Sequence, residues 1–145
     1  MKELRWIHQA LFVLMIGLFG FALLTCSSGH TGAQQEEARG TVLATTRLDL
    51  DFSKHKATFI ELGADRCIPC KAMQPIMKEI AKEYAGTIQV VFYDVWKDPE
   101  PARKYGIQLI PTQVFIDQSG KEIFRHVGLF PKEEILSMLK DKEIL

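Results

Sequence analysis

Cysteine is scarce in this chain of 145 residues: Cys26, Cys67 and Cys70 are the whole supply. Three are too few for a disulfide scaffold, so a hydrophobic core must hold the fold. Excess charge is absent as well. Eighteen Lys and Arg offset eighteen Asp and Glu, for a formal net charge of zero. That leaves no electrostatic footprint for nucleic acid, which is excluded as a partner on this ground. No internal repeat is visible. No second Cys-x-x-Cys and no histidine pair at ligand spacing accompanies Cys67 and Cys70. His55 and His126 read as surface or packed strand residues. The length allows one domain of ordinary size plus a tail.

The tail is the N-terminus. Lys2 and Arg5 precede fifteen residues, 10–24, without a polar side chain, and small polar residues follow. This is the order of a secretory signal. A core helix would show a polar face, and this segment has none. Fifteen helical residues span about 22 Å, short of the roughly 30 Å hydrocarbon core, but Trp6 and Ile7 extend the span to a workable anchor. Leu23-Leu24-Thr25-Cys26 resembles the lipobox of bacterial lipoproteins, which makes Cys26 a candidate lipidation site; Thr25 stands where that motif has a smaller residue. Release after Ala33 is the third outcome. Retained anchor, lipoprotein and secreted product all place the remaining chain outside the cytoplasm, with Lys2 and Arg5 inside. Residues 1–26 are thus expected to be a signal peptide or membrane anchor, 27–44 a polar linker, and 45–145 the folded domain.

Within that domain the pattern reads β-α-β-α-β-β-α. "ATFIEL" (57–62) is a β-branched apolar strand. Residues 68–86 carry Ile76, Ile80, Ala81 and Tyr84 at helical spacing, with Pro75 as a kink and Gly86 as a stop. "TIQVVFYDV" (87–95) reads as a strand buried on both faces. Residues 98–106 form a short helix, "TQVFID" and "KEIFRHV" a hairpin around "DQSG", and 131–142 a helix with a stripe of Ile135, Leu136 and Leu139. The first half is a βαβ unit, hence parallel. The predicted class is α/β: a central mixed sheet of four to five strands flanked by helices, preceded by an N-terminal apolar helix. Residues 42–56 are a candidate for a further strand.

Cys67 falls at the strand-to-helix junction, with Cys70 one turn later. Unpaired N–H groups and the helix dipole favour an anion there, so the Cys67 thiol should acidify below its free value of about 8.5. Arg66 adds a positive charge beside it. Pro69 is tolerated in the first turn. A redox pair, a structural disulfide and half of a metal site are the three readings open to the cysteines. A metal would need two further ligands, and haem attachment would need His where Lys71 stands.

Cys67-Ile68-Pro69-Cys70-Lys71, Pro75 five positions after the second cysteine, "KYGIQLIPT" (104–112) and "VGLFPKEEIL" (127–136) together resemble the thioredoxin family over roughly residues 56–142. The resemblance implies a cis peptide bond at Ile110-Pro111, with Pro111 packed beside the disulfide. It implies that the backbone of Ile110, Pro111 and Thr112 binds substrate as an added strand. Thioredoxins carry a buried Asp where Glu61 stands, which helps to move the proton of the second cysteine. Burial should raise the Glu61 pKa into a useful range for that task. Gly63 and Arg66 replace usual tryptophans, and Ile68 a usual glycine. With Arg66, Pro69 and Lys71, Ile68 is expected to set the redox potential. The region before Thr58 looks too short for the family's full first strand and helix.

The expected function is that of a bacterial extracytoplasmic thiol–disulfide oxidoreductase in cell redox homeostasis. It would be a monomer without cofactor or bound metal, acting as a reductant on protein disulfides and supplied by a membrane electron donor. Cytochrome c maturation and thiol repair are the roles the resemblance suggests. The alternatives are a non-catalytic binding module and a Cu(I) chaperone using the two cysteines.

Overall fold

The structure, a computed structural model, describes residues 40–145. The signal, anchor and lipidation readings of residues 1–26, Cys26 included, lie outside the described residues, as does the linker up to residue 39.

Five strands form one mixed sheet in the order β1-β3-β2-β4-β5. They are β1 (Leu43–Ala44), β2 (Ala57–Gly63), β3 (Ile88–Asp94), β4 (Thr112–Asp117) and β5 (Glu122–Val127), with helices α1 (Ile68–Glu83), α2 (Glu100–Lys104) and α3 (Lys132–Asp141) between and after them. β1, β3 and β2 run parallel; β4 and β5 are antiparallel additions. The sheet takes in Leu43 and Ala44, which fall at the end of the expected linker and inside the 42–56 segment expected to supply a further strand. The rest of the 42–56 segment supplies only a 3-10 turn at Phe52–Lys54, capped by the Asp51 side chain. The Tyr93 hydroxyl donates to the Arg47 carbonyl at 2.5 Å and ties this segment to β3.

β2 is central and every one of its residues is buried. Alternation along it therefore feeds two cores. Phe59 faces α1 and α3, packing with Met73, Met77, Ile80, Phe115, Ile135 and Leu139. Its ring stacks on Phe115, its cross-strand partner, with centroids 4.7 Å apart. Ile60 and Leu62 face the other side with Val91, Tyr93, Val114 and Ile116, closed over by Leu48, Leu50, Phe52, Tyr105 and Ile107.

Two apolar stripes differ from the sequence reading. On α1 the buried residues are Cys70, Met73, Met77, Ile80 and Ala81, with Ile76 and Tyr84 only partly buried. On α3 they are Ile135, Met138 and Leu139, with Leu136 partly exposed. Methionine is unbranched and pliable, and fills the irregular space between helix and sheet. α1 runs through Pro75 as one helix.

The α3 stripe has a direct test in urea denaturation. Met138→Ala should cost about 2–3 kcal/mol, and Leu136→Ala about 1 kcal/mol or less. The reverse order would put Leu136 in the core.

Candidate active site

β2 ends at Gly63 and the chain turns through Ala64, Asp65 and Arg66 into α1. Cys67 caps that helix in an extended conformation (φ −78°, ψ 121°), and its Sγ accepts from the Cys70 N–H at 3.3 Å. The sulfur therefore sits on the free N–H groups of the first turn, where negative charge is favoured. Pro69 lies in that turn and deprives it of nothing. The cysteines are joined by a disulfide with Cα atoms 5.2 Å apart. Cys67 is 8 % exposed and Cys70 1 %, so Cys67 presents the more reachable sulfur.

Ile110 packs against the cluster of Ala64, Cys67 and Cys70. The Ile110-Pro111 bond is cis. Pro111 and Thr112 are buried, and the Thr112 hydroxyl donates to the Leu109 carbonyl at 2.6 Å. Arg66, Ile68, Pro69 and Lys71 are exposed around the cysteines. Among the described residues Arg66 makes no ion pair, so its charge is uncommitted beside Cys67. No group of three or more His, Cys, Asp or Glu side chains among the described residues is placed to hold a metal.

Glu61 is fully buried. It shares a sheet face with Phe59 and Gly63, the face that α1 covers. Gly63 marks how close the helix comes: a Cβ there would lie 3.2 Å from the Cys70 Cβ and 3.3 Å from its Sγ. Glu61 thus stands one step below the residue that touches Cys70. Burial pushes its carboxyl up to about 8, against a smaller downward pull from a Gln113 hydrogen bond.

Gln113 is the residue that the sequence reading missed. It lies opposite Glu61 on β4 and its Nε2 donates to Glu61 Oε2 at 3.0 Å. The signal was present: a polar residue in an apolar strand, the same feature that singled out Glu61.

The loop before Cys67 is clamped from β3. The Asp94 carboxylate accepts from the backbone N–H groups of Asp65, Trp96 and Lys97, while the Lys97 ammonium bridges Asp94 and Asp65. Burial opposes ionisation of Asp94, but the hydrogen bonds from Lys97, Asp65 and Trp96 together hold its carboxyl below the usual range.

The family model described as thioredoxin matches residues 41–141. Thioredoxin of Staphylococcus aureus is 32% identical over 99 residues, which cover 66% of this chain and 93% of that protein. Among solved structures, a thioredoxin from Malassezia sympodialis aligns with a TM-score of 0.60 and 27% identity, covering 70% of this chain and 91% of that one. A mutant thioredoxin from Halobacterium salinarum aligns with a TM-score of 0.63 and 24% identity, over 71% and 91%; at that identity the likeness is one of fold.

Two outcomes follow from the packing at Glu61 and Gly63. Gly63→Ala should destabilise the oxidised protein by about 1–3 kcal/mol, because the added methyl meets the Cys70 side chain and the Phe92 ring. Little change in the urea midpoint would show that α1 can retreat. For Glu61, between the ordinary carboxylate range and about pH 8 the folded protein keeps a proton that the unfolded chain has lost. Stability therefore falls as pH rises through that window. Glu61→Gln stays neutral, so oxidised wild type should lose a few kcal/mol relative to it between about pH 5 and about pH 8.5. Parallel stability curves for the two proteins would contradict this.

Proposed function

The chain belongs to the thioredoxin family and is a thiol–disulfide oxidoreductase of that type, and from that premise we propose that it serves outside the cytoplasm as a reductant of protein disulfides. The observation that carries the choice of protein substrates is the apolar surface around the cysteines. Ile68, Trp96, Leu109, Val127 and Leu129 are each about half exposed or more. Ile68 lies between the cysteines, and Leu109 precedes the Ile110 that packs on them. Val127 and Leu129 flank Gly128, whose N–H donates to the Pro111 carbonyl at 2.8 Å. Trp96 sits on the turn that Asp94 holds against Asp65. Exposed apolar groups collected at one end of a sheet suit a protein partner.

In the proposed cycle the Cys67 thiolate attacks one sulfur of a substrate disulfide. A mixed disulfide forms and the other substrate sulfur leaves as a thiolate. The Glu61 carboxylate takes the proton of Cys70, whose sulfur then attacks Cys67. The mixed disulfide breaks, the Cys67–Cys70 bond forms, and the substrate departs with two more electrons than it brought. A base with a pKa of about 8 is well matched to a thiol. Ile110, Pro111 and Thr112 hold the substrate backbone, and Arg66, Ile68, Pro69 and Lys71 tune the potential.

The extracytoplasmic placement is supported by Lys2 and Arg5 before the apolar run of residues 10–24. A retained anchor or a lipid on Cys26 would keep the domain at the membrane. The compartment is oxidising, so steady reduction requires a membrane electron donor. Cytochrome c maturation or thiol repair would consume those electrons.

The test uses the full-length protein. Wild type should catalyse insulin reduction by dithiothreitol, and Cys67→Ser should abolish it. In cells, Cys70→Ala should accumulate mixed disulfides with exported proteins. Failure to exchange with any model disulfide would make the domain a binding module, and tight Cu(I) binding without turnover would make it a chaperone. Trapping of cytoplasmic proteins alone would overturn the location.

A further inference from the structure

Four side chains line up across the sheet on the face that α1 covers: Phe92 on β3, Glu61 on β2, Gln113 on β4 and His126 on β5. The titratable groups near Glu61 on this face are Cys70 of α1, which lies over Gly63, the next residue of β2 on the face, and, beyond Gln113, His126, whose ring stacks on Phe130 with centroids 4.2 Å apart. Phe92 brings no charge, and Glu61 forms no ion pair among the described residues. Gln113 is the hydrogen-bond partner the carboxyl has, through Oε2; its Oε1 is buried with none.

The Gln113 amide is held in one orientation. Its Nε2 also donates to the Gly128 carbonyl at 3.0 Å. That carbonyl can only accept, so the NH2 group must face it. Gly128 has φ +100°, a conformation that side chains disfavour, and its N–H is taken by Pro111. A flipped amide would set two carbonyl oxygens against each other. The flip is blocked although Gln113 Oε1 itself is left buried without a donor. Gln113 is thus a fixed donor to Glu61 Oε2 in either protonation state. A proton binds the oxygen whose lone pairs are less engaged, which is Oε1.

We propose that Gln113 is a positioning residue for proton transfer, holding the Glu61 carboxyl so that Oε1 takes and returns the proton of Cys70; this rests on the redox cycle proposed above. In the resolving step the Cys70 S–H proton passes to Oε1, leaving a Cys70 thiolate and a neutral Glu61. The thiolate pair forms the bond to Cys67, the substrate sulfur leaves with the pair of the broken bond, and solvent protonates it. Without the donor the carboxylate loses its main stabilisation and becomes harder to ionise.

The experiment compares full-length wild type, Gln113→Leu, Glu61→Gln and the double variant. The infrared carboxyl band of Glu61, assigned by its loss in Glu61→Gln, is titrated in the oxidised proteins. The pH profile of insulin reduction is measured alongside. Gln113→Leu should raise the infrared midpoint by about one pH unit and lower turnover at neutral pH about tenfold. It should change neither the pH profile nor the rate when Glu61 is already Gln. Gln113→Met carries the same expectation should the leucine variant not fold. An unmoved midpoint, or an equal loss in the Glu61→Gln background, would overturn the proposal; the second result would trace the effect to packing or to His126. A moved midpoint in a protein that reduces no disulfide would overturn the redox cycle and leave the hold on Glu61 standing.

Discussion

β2 is hydrogen-bonded on both edges and buried along its length, so a polar side chain on it must be satisfied from within the protein. Of its two polar residues, Thr58 and Glu61, Glu61 is the ionisable one. Its neighbours are set by the same constraint. Cross-strand pairing places Phe92 on one side of it and Gln113 on the other. Alternation places it below Gly63, on the side of the sheet where α1 must pack. The cost of burying a carboxyl is relieved by keeping it protonated, and a protonated carboxyl that can ionise near neutral pH is a usable base.

The cysteines depend on that arrangement from above. Gly63 has no side chain, so the start of α1 can descend until Cys70 touches the strand. Cys67 is left at the cap, where the helix offers its free N–H groups. The two sulfurs thereby divide between a more exposed position on the helix dipole and a sealed one over Gly63. The Asp94 clamp fixes the connecting loop, and Ile110, next to Pro111, packs on the cluster of Ala64, Cys67 and Cys70.

Much of this could be read from residue types. Glu61 and the Cys67–Cys70 spacing stand out because each breaks a pattern that bulk packing would otherwise dictate. The strands were readable where apolar residues run without interruption, as in β2 and β3. The α1 and α3 stripes were read correctly at Ile80, Ala81, Ile135 and Leu139, but Met73, Met77 and Met138 were passed over in favour of Ile76, Tyr84 and Leu136, although methionine packs as well against a sheet. β1 escaped firm assignment because two residues carry no period. Gln113 is legible as a polar residue in an apolar strand, but its role exists only through register: nothing local to "TQVFID" says that Glu61 lies opposite. Tertiary pairing, which a single sequence does not display, supplies that information.

The proposed cycle turns on one property: the buried Glu61 carboxyl titrates where a thiol does. The most direct measurement is a carbon-13 NMR titration of the Glu61 side-chain carboxyl in the oxidised full-length protein, with the resonance assigned through Glu61→Gln. Burial beside Gln113 predicts a midpoint of about 8. A midpoint in the ordinary glutamate range would mean that solvent reaches the carboxyl, and would contradict both its burial and its use as the base for Cys70.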